Sequence, residues 1–557
     1  MDPILAGYTN PTRKADAEDA DRREETRLSQ DNLVTHLHGI GATRSGKSKW
    51  LEWFCRGLLR QDLGFTLIDP QGELAEALVS YFAYLRPRKP IIYFDPSRTD
   101  YLIPFNPFYH PEESHAERPV RVDKQMQAIL RVWGADSVED TPRLARVLRC
   151  CLHLFSTGEI TLNELHPLLF YEYDKRRKYA AQLIEHSPAV RRELEDLSEY
   201  SRKREFDTQI ESTRNRLTPF VHFPQLKRIM SVSESRLDFK QVVEEDAIVI
   251  ANLRQSERLS EENGRLLGTL MIHQLWQAMQ DRPKPPERPH FLLVDEFQKF
   301  LTPDMRDILD RGAGKGLHLG LFHQHLSQLR EQDRWTYDSV MGNAKTKLVF
   351  GGLSREDALT MVDEIFVDQI QLDEVKFLIK QTKFWPVYGR DKVYSSTQTK
   401  GSTSSQGSGS STQKVWNPAH GEWVPAEGEQ SMATESELES RSEGESDIPI
   451  FYPVPFEETS TKETYTLEEQ KHRLSDRLMA QYQRHFFLKR HEEKAIPAVT
   501  PFVKEYKIFP NSEEEYIREE LIKPYALSVE EIDRRLTDQT QQFFSNGQLV
   551  PEPEEWQ

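Results

Sequence analysis

Two kinds of hydrophobic spacing alternate in the part of the chain between Asn32 and Pro107. Short apolar runs such as Phe65 to Ile68 and Ile91 to Phe94 are bounded by turn residues. Between them, as from Ser48 to Gln61, apolar residues recur every three or four positions. Short bounded runs predict buried strands, and a spacing of three to four residues predicts amphipathic helices. This alternation is typical of an α/β sheet.

The spacing of hydrophobic residues becomes purely helical in the middle of the chain and then returns to the α/β alternation. From about Glu113 to Ser235 the spacing is helical, which predicts an all-helical insertion. The clearest helical stretches are Val122 to Trp133, Pro142 to Phe155, Ala189 to Arg204 and Thr208 to Val221. Later elements are predicted as strands at Ala247 to Leu253, Phe291 to Val294, Leu317 to Phe322 and Thr346 to Phe350, and as a long helix near Glu261 to Met279. We therefore expect one α/β core that is interrupted by helices.

The two ends of the chain and one internal stretch differ from this core in composition. Dense mixed charges before residue 30 predict a poorly packed arm. The stretch from Tyr394 to Glu445 is rich in Ser, Thr, Gly, Gln and Glu, which predicts a flexible segment. Helical patterns follow at Leu467 to Lys494 and Glu513 to Phe544. The predicted segments are 1–30 (charged arm), 31–112 and 236–393 (the two parts of the α/β core), 113–235 (helical insertion), 394–450 (flexible segment) and 451–557 (helical extension).

Composition and charge narrow the class of protein. The 557 residues are 37% hydrophobic and 29% charged, and no apolar run approaches the length of a membrane span. The only cysteines are Cys55, Cys150 and Cys151, which give neither a disulfide framework nor a metal-type spacing. We therefore expect a cytoplasmic protein without a membrane span. The net charge of -17 argues against a uniformly basic surface, but a ring can hold a basic channel inside an acidic exterior.

A glycine loop stands between a predicted strand and a predicted helix. It reads Gly41-Ala42-Thr43-Arg44-Ser45-Gly46-Lys47-Ser48. This spacing is that of a P-loop, in which backbone N–H groups and the start of the helix surround phosphate oxygens. We expect Lys47 to contact the β- and γ-phosphates of ATP and Ser48 to bind Mg²⁺. A glycine turn that only caps a helix is the alternative, and the flanking strand and helix favour the P-loop.

Two carboxylates follow another apolar strand, Phe291-Leu292-Leu293-Val294. They are Asp295 and Glu296. Ligands of open α/β sheets bind at the carboxyl ends of the strands, so both side chains are expected at the nucleotide. We expect Asp295 to hold Mg²⁺ and Glu296 to orient or deprotonate the attacking water. The alternative, a solvated strand end, is less favoured because the P-loop supplies the other half of such a site.

A glutamine, Gln324, ends the next predicted strand. An amide at this position can reach the γ-phosphate and report its loss by changing hydrogen-bond partners. A surface amide with no role in the site is equally compatible with the spacing alone.

These motifs resemble, in order, those of the HerA/FtsK superfamily of hexameric DNA-pumping ATPases. Within it they are most similar to conjugative coupling proteins of the TraG/TraD type and their soluble relatives. The resemblance covers roughly residues 32–392. It rests on the stretches His38 to Ser48, Leu67-Ile68-Asp69-Pro70-Gln71-Gly72-Glu73-Leu74, Leu292 to Gln298, Gly316 to Leu329 and Gly352 to Ala358.

The resemblance implies a RecA-like P-loop core, a helical insertion, a ring of six subunits, ATP between neighbours and DNA through the centre. It favours Gln324 as a sensor of the γ-phosphate. It also implies that a neighbouring subunit supplies an arginine to the γ-phosphate. Relatives tend to carry an Arg-Lys pair where this chain has Ala313 and Gly314, so Arg311, Lys315 and Arg355 remain the alternatives, with Arg311 placed first.

Two functions of different classes follow from these expectations. The first is an ATP-driven DNA translocase with a protein partner such as a nuclease or a relaxosome, acting in DNA transfer, processing or antiviral defence. The second is an ATP-bound oligomeric scaffold that presents an effector with little turnover, which the departure from the arginine pattern favours. DNA-stimulated hydrolysis distinguishes the two. A kinase is disfavoured because no acceptor-binding element is evident.

Overall fold

The computed structural model describes residues 2–9, 24–109, 114–133, 141–170, 175–199, 210–218, 223–282, 288–371, 374–398, 411–417, 420–428, 441–506 and 508–546. The chain forms two compact units. One combines Met1–Gln369 with Lys471–Gln557, and the other is Ile370–Gln470.

The strands are named in chain order. They are Ile4–Thr9 (β1), Glu25–Leu28 (β2), Leu37–Ile40 (β3), Phe65–Asp69 (β4), Ile91–Phe94 (β5), Tyr101–Leu102 (β6), Ile248–Asn252 (β7), His290–Val294 (β8), Leu317–His323 (β9), Thr346–Phe350 (β10), Val375–Gln398 (β11), Ser411–Asn417 (β12), Glu422–Gly428 (β13), Arg441–Thr464 (β14), His485–Arg490 (β15), Ile496–Val499 (β16) and Leu527–Ser528 (β17).

The α-helices are named in the same way. They are Gln30–Val34 (α1), Lys47–Arg60 (α2), Glu73–Leu85 (α3), Arg118–Val132 (α4), Pro142–Phe155 (α5), Leu162–Phe170 (α6), Lys175–Gln182 (α7), Pro188–Glu199 (α8), 210–218 (α9), Pro224–Met230 (α10), Phe239–Glu244 (α11), Glu261–Gln280 (α12), Pro303–Arg311 (α13), Leu326–Gln332 (α14), Arg334–Asn343 (α15), Arg355–Ile365 (α16), Leu467–Met479 (α17), Pro510–Tyr516 (α18) and Val529–Asn546 (α19). Short 3₁₀ turns lie at Phe297–Phe300, Ala313–Lys315 and Val367–Gln369, and a π-helical turn lies at Ile517–Ile522. In the described part of the chain, no helix combines the length and apolarity needed to cross a membrane.

One eleven-stranded sheet organises the first unit. Its order is β2-β1-β16-β15-β10-β3-β9-β8-β4-β7-β5. The seven strands from β10 to β5 run parallel, and β15, β16, β1 and β2 continue the sheet in antiparallel pairs. Every residue of β3, β4, β7, β8, β9 and β10 is buried, as expected for parallel strands that are covered on both faces. The predicted α/β core, with strands near 291–294, 317–322 and 346–350, is confirmed.

The described elements between α4 and α10 are all helices, as the spacing predicts. They include α4, α5 and α8 at the predicted places, although residues 200–209 and 219–222 lie outside the described part of the chain. The apolar faces of α4 and α5 join the same core as the sheet, including Val122, Met126 and Leu148.

Two predictions about the ends of the chain are wrong. The described parts of the predicted N-terminal arm contain β1 and β2, which pair with each other and extend the main sheet, and residues 10–23 lie outside the described part of the chain. The predicted helix from Leu467 to Lys494 ends at Met479, and the chain then returns to the sheet as β15 and β16. Strand β15 pairs antiparallel with β16, which follows it, and with β10, more than 100 residues earlier. The pairing with β10 is long-range and cannot be inferred from local residue spacing.

The second unit contains a long two-stranded ribbon. Strands β11 and β14 pair antiparallel along their 24 residues, and β12 pairs with β13 in a shorter hairpin. The segment 394–450 was expected to be flexible, and its described residues are largely strand. Residues 399–410 and 429–440 lie outside the described part of the chain.

Candidate nucleotide-binding site

Three neighbouring parallel strands place the predicted motifs side by side. Strand β3 leads into the glycine loop, β9 leads into Gln324, and β8 leads into Asp295 and Glu296. Since β9 lies between β3 and β8, its carboxyl end lies between the glycine loop and the carboxylates. Adjacent strands are about 4.8 Å apart, so side chains from all three ends can meet.

The glycine loop has the backbone that a phosphate-binding loop requires. Gly46 precedes α2 with a φ of 112°, and a Cβ there would lie 2.9 Å from the backbone of Arg484. Only glycine combines that φ with that approach. The N–H of Arg484, which precedes β15, donates to the carbonyl of Ser45 at 2.8 Å. The C-terminal part of the chain therefore supports the glycine loop directly.

Lys47 is buried beneath this loop. Its Nζ donates to the carbonyls of Gly41 and Ala42, the latter at 3.1 Å. Burial lowers the pKa of Lys47, and the carboxylates of Asp295 and Glu296 oppose that shift. No carboxylate forms a direct ion pair with Lys47 in the described chain, so its ammonium group remains available to phosphate oxygens.

Asp295 is buried and faces the start of α2. The hydroxyl of Ser48 lies 3.5 Å from its Oδ2. Burial raises the pKa of Asp295 to about 7, helped by the negative charges of Asp69 and Glu296, while Lys47 lowers it. A carboxylate that is this costly to ionise fits a site for a divalent cation, because the cation's charge favours the ionised form. Ser48 and Asp295 therefore suit the expected Mg²⁺.

Glu296 is held from both sides by amide groups. Its backbone adopts a left-handed φ of 50°, a conformation that non-glycine residues keep mainly where the surrounding structure enforces it. Gln298 Nε2 donates to Oε2 at 2.7 Å, and Gln324 Nε2 donates to Oε1 at 2.6 Å.

Gln324 connects the carboxylate to the glycine loop. Its Oε1 accepts a hydrogen bond from Thr43 Oγ1 at 2.9 Å while its Nε2 holds Glu296. The chain Thr43–Gln324–Glu296 joins the ends of all three strands. Sequence reasoning proposed Gln324 for its strand end, but the contacts to Thr43 and the role of Gln298 depend on side-chain positions that no spacing reveals.

A buried histidine pair lies under the same edge. The Nε2 atoms of His38 in β3 and His323 in β9 are 2.7 Å apart, and the rings stack with centroids 4.9 Å apart. Burial lowers the pKa of His323 to about 3 and that of His38 well below its ordinary value, so both rings are neutral and one donates to the other. The pair adds a side-chain contact between the two strands that carry the glycine loop and Gln324.

Asp69 stabilises the turn between β4 and α3 at this edge of the sheet. Its carboxylate accepts from the backbone N–H groups of Gln71 and Ala75, both at 2.9 Å, and so caps α3. This explains the Asp-Pro-Gln-Gly sequence after β4 as a turn into a helix.

Three residues are candidates for the side chain that contacts the γ-phosphate bound by a neighbouring subunit, and they lie in different parts of the sheet unit. Arg311 is exposed at the end of α13, which runs from the carboxyl end of β8 back to the start of β9. It is therefore at the sheet edge opposite its own glycine loop. Lys315 donates to the carbonyl of Gln280. Arg355 follows β10 at the same edge as the glycine loop and contacts His472 Nδ1 at 3.3 Å.

Comparison with known proteins supports the resemblance seen in the motifs. Residues 289–366 match the family model described as the TraM recognition site of TraD and TraG. The bacterial conjugative coupling protein TrwBdeltaN70, in its unbound monoclinic form, matches with a TM-score of 0.51 and 13% identity, covering 87% of this chain and 89% of that chain. TrwB in complex with ADP and Mg²⁺ gives a TM-score of 0.48 and 13% identity, with 91% and 97% covered. No curated protein sequence matches significantly. The predicted similarity to TraG/TraD-type proteins and the P-loop α/β fold are confirmed.

Proposed function

We propose that this chain is an ATP-driven, Mg²⁺-dependent motor that moves DNA as a ring of six copies in the cytoplasm. The observation that carries the proposal is the hydrogen-bonded chain Thr43–Gln324–Glu296, which links the phosphate loop to the carboxylate that would activate water. Such a link is what a motor needs to couple the state of the nucleotide to a change in side-chain contacts.

Each residue of the site has a distinct task in this proposal. The loop from Gly41 to Gly46 surrounds the phosphates, and Lys47 binds the β- and γ-phosphate oxygens. Ser48 and Asp295 hold Mg²⁺, which neutralises charge that develops on the transferred phosphoryl group. Glu296 accepts the proton of the attacking water.

The described contacts correspond to a resting arrangement. Both oxygens of Glu296 are engaged by amides, so its capacity to accept a water proton is reduced. A γ-phosphate beside Thr43 would compete for the Gln324 amide and release Oε1 of Glu296. Hydrolysis and phosphate release would restore the contact, which makes Gln324 the reporter of the γ-phosphate.

The scaffold alternative keeps the same site and differs in turnover. It is favoured by the departure from the Arg-Lys pattern at Ala313 and Gly314. Arg311 remains our first candidate for the arginine in trans, because a side chain at the opposite edge of one sheet can serve only a neighbour. The match of residues 289–366 to a partner-recognition family model supports a protein partner on that part of the chain.

Paired substitutions test the reporter role. Gln324→Ala and Gln298→Ala each remove one amide from Glu296, but only Gln324 also contacts Thr43. We expect Gln324→Ala to reduce ATP turnover by at least about tenfold with little change in ATP affinity, since the contact acts after binding. Gln298→Ala should retain DNA-stimulated turnover. Equal effects of both substitutions would contradict the reporter role and leave Gln324 as a neighbour of Glu296 only.

A further inference from the structure

The order of the strands gives the direction in which a nucleotide would lie at the glycine loop. Asp295 and Glu296 follow β8, which is separated from β3 and its glycine loop by β9. With the γ-phosphate at these carboxylates, the nucleoside end of the molecule points the other way. It therefore points to the side of β3 on which β10, β15 and β16 lie.

Two loops of the C-terminal part of the chain form the surface on that side. Strand β10 is parallel to β3, and β15 is antiparallel to β10, with Phe486 opposite Phe350. The residues before β15 therefore lie at the same edge of the sheet as the glycine loop. Strand β16 is antiparallel to β15, with Val499 opposite His485, so the residues after β16 return to this edge. We call residues 480–484 and 500–505 the C-terminal loops.

The C-terminal loops contact the glycine loop and the start of α2. The N–H of Arg484 donates to the carbonyl of Ser45 at 2.8 Å. The Nζ of Lys49, in the first turn of α2, lies 3.6 Å from Oε1 of Glu505. Phosphate groups bind at the first turn of such a helix. The C-terminal loops are therefore next to the place where the phosphates of a nucleotide end and its nucleoside begins.

The turn before β15 is held firmly against the glycine loop. Arg484 has a left-handed φ of 70°, which a residue other than glycine keeps mainly where the surrounding structure enforces it. Its N–H donates to Ser45, and its carbonyl accepts from the N–H of Thr500 at 2.9 Å. The N–H of His485 donates to the carbonyl of Tyr482 at 3.0 Å and closes the turn. These contacts fix the position of Tyr482 beside the glycine loop.

Each of the C-terminal loops exposes an aromatic ring. Tyr482 is 55% exposed and Phe502 is 62% exposed. The guanidinium carbon of Arg484 lies 5.7 Å from the centre of the Phe502 ring, and its Nη2 donates to the carbonyl of Thr500 at 2.6 Å. Arg484 thus links the two loops beside the Phe502 ring. Exposed rings next to a phosphate site have the chemistry that binds a nucleobase, because bases stack on aromatic side chains.

We propose that Phe502 and Tyr482 hold the base of the bound ATP by stacking. The contact is made to the face of the base, which every nucleobase has, so it strengthens binding of a nucleotide relative to its phosphates alone. The C-terminal part of the chain then supports the glycine loop and also contributes to the ligand site. This inference rests on the proposed ATP site and adds the residues that bind the nucleoside.

Two ligands that differ in the nucleoside test the proposal. They are a non-hydrolysable ATP analogue and inorganic tripolyphosphate, each titrated by calorimetry into the full chain with Mg²⁺. Phe502→Ala and Tyr482→Ala should each weaken binding of the analogue by about tenfold. Binding of tripolyphosphate should stay as in wild type, because it has no base.

Two control variants accompany the alanine variants. Phe502→Trp keeps an aromatic face and should bind the analogue as tightly as wild type. Phe509 is another exposed aromatic residue of the C-terminal region, but it lies outside the C-terminal loops. Phe509→Ala should leave the affinities for both ligands unchanged.

Two results would overturn the inference. The first is unchanged affinity for the analogue in both Phe502→Ala and Tyr482→Ala. The second is an equal loss of affinity for the analogue and for tripolyphosphate, which would show that the rings act through the glycine loop. Failure of the proposed motor would look different. Absent ATP turnover in a wild-type chain that binds the analogue through these rings would contradict the motor and support the base site.

Discussion

Asp295 and Glu296 are neighbours in the chain, yet the structure gives their carboxylates different surroundings. Asp295 faces Ser48 and Lys47 in a buried position that raises its pKa to about 7. Glu296 is bound by the amides of Gln298 and Gln324. The pattern of an apolar strand followed by two acids predicted both residues at the nucleotide. The surroundings of Asp295 suit a cation, whereas in our proposal Glu296 can activate water only after Gln324 releases its Oε1.

Substitutions at Lys47 and Glu296 should separate binding from turnover. We expect Lys47→Ala to lose ATP binding, because the ammonium group is the main cationic side chain at the phosphates. Glu296→Gln should bind ATP normally and lose turnover by about 10²-fold or more, since an amide cannot accept the proton. Binding is measured with a fluorescent nucleotide and turnover by phosphate release. Unchanged turnover in Glu296→Gln would show that another group activates the water.

The raised pKa of Asp295 makes stability depend on pH in the absence of nucleotide. The folded state keeps the Asp295 proton up to about pH 7, whereas the unfolded chain loses it near 3.8. The unfolded state therefore binds fewer protons in this window, and the contribution of Asp295 to stability falls as pH rises from about 4 to 7.

Asp295→Asn should remove this pH dependence. We expect the variant to gain in free energy of unfolding relative to wild type between pH 5 and pH 7, by on the order of 2 kcal/mol. Thermal or denaturant unfolding without nucleotide or Mg²⁺ measures the gain. A constant difference between the two proteins across this range would mean that Asp295 is ionised in the folded state.

The glycine loop, Asp295, Glu296 and Gln324 could be placed from the sequence because each directly follows a strand that is readable as an apolar run. The hydrogen bonds from Gln324 and the His38–His323 pair could not, because they depend on side chains that approach from three strands across the sheet. The role of Arg311 depends on a neighbouring subunit and stays a prediction.

At the scale of elements, local patterns predicted the parallel strands and the helices better than the antiparallel side of the sheet. Strands β4, β7 and β8 are buried on both faces and read as continuous apolar runs. Strand β2 lies in a stretch dense in charged residues and pairs with β1, and β15 pairs with β10, more than 100 residues earlier. From composition and spacing alone, β2 was therefore predicted as part of a poorly packed arm and β15 as part of a helix.

Strand β15 should be indispensable to the ATPase core. Phe486 is fully buried against Phe350 and Trp50, with ring centroids 5.1 and 6.4 Å away. We expect Phe486→Ala to lower the free energy of unfolding by about 3–5 kcal/mol. Phe509 belongs to the same C-terminal region but is 85% exposed. Phe509→Ala should therefore change the free energy of unfolding by less than about 0.5 kcal/mol. Equal stabilities of the two variants would show that β15 is not part of the cooperative core.

At the scale of the whole molecule, the proposed motor requires that an acidic protein bind DNA through a locally basic region. The net charge is -17. Basic residues of the helical insertion are candidates for a DNA-binding channel, but Arg228 pairs with Asp533 at 2.7 Å and Arg216 lies over the ring of Trp133. Arg202, Lys203 and Arg204 lie outside the described part of the chain. A DNA path would therefore depend on a few exposed positions arranged by the ring.

The proposed motor is best tested by ATP hydrolysis of the full chain without DNA, with single-stranded DNA and with duplex DNA, at low and moderate salt. Glu296→Gln serves as the blank. We expect that DNA stimulates turnover and that salt weakens this stimulation, because phosphate contacts release counterions. Turnover that is absent under all conditions, or that is indifferent to DNA, would contradict the motor and favour the ATP-bound scaffold.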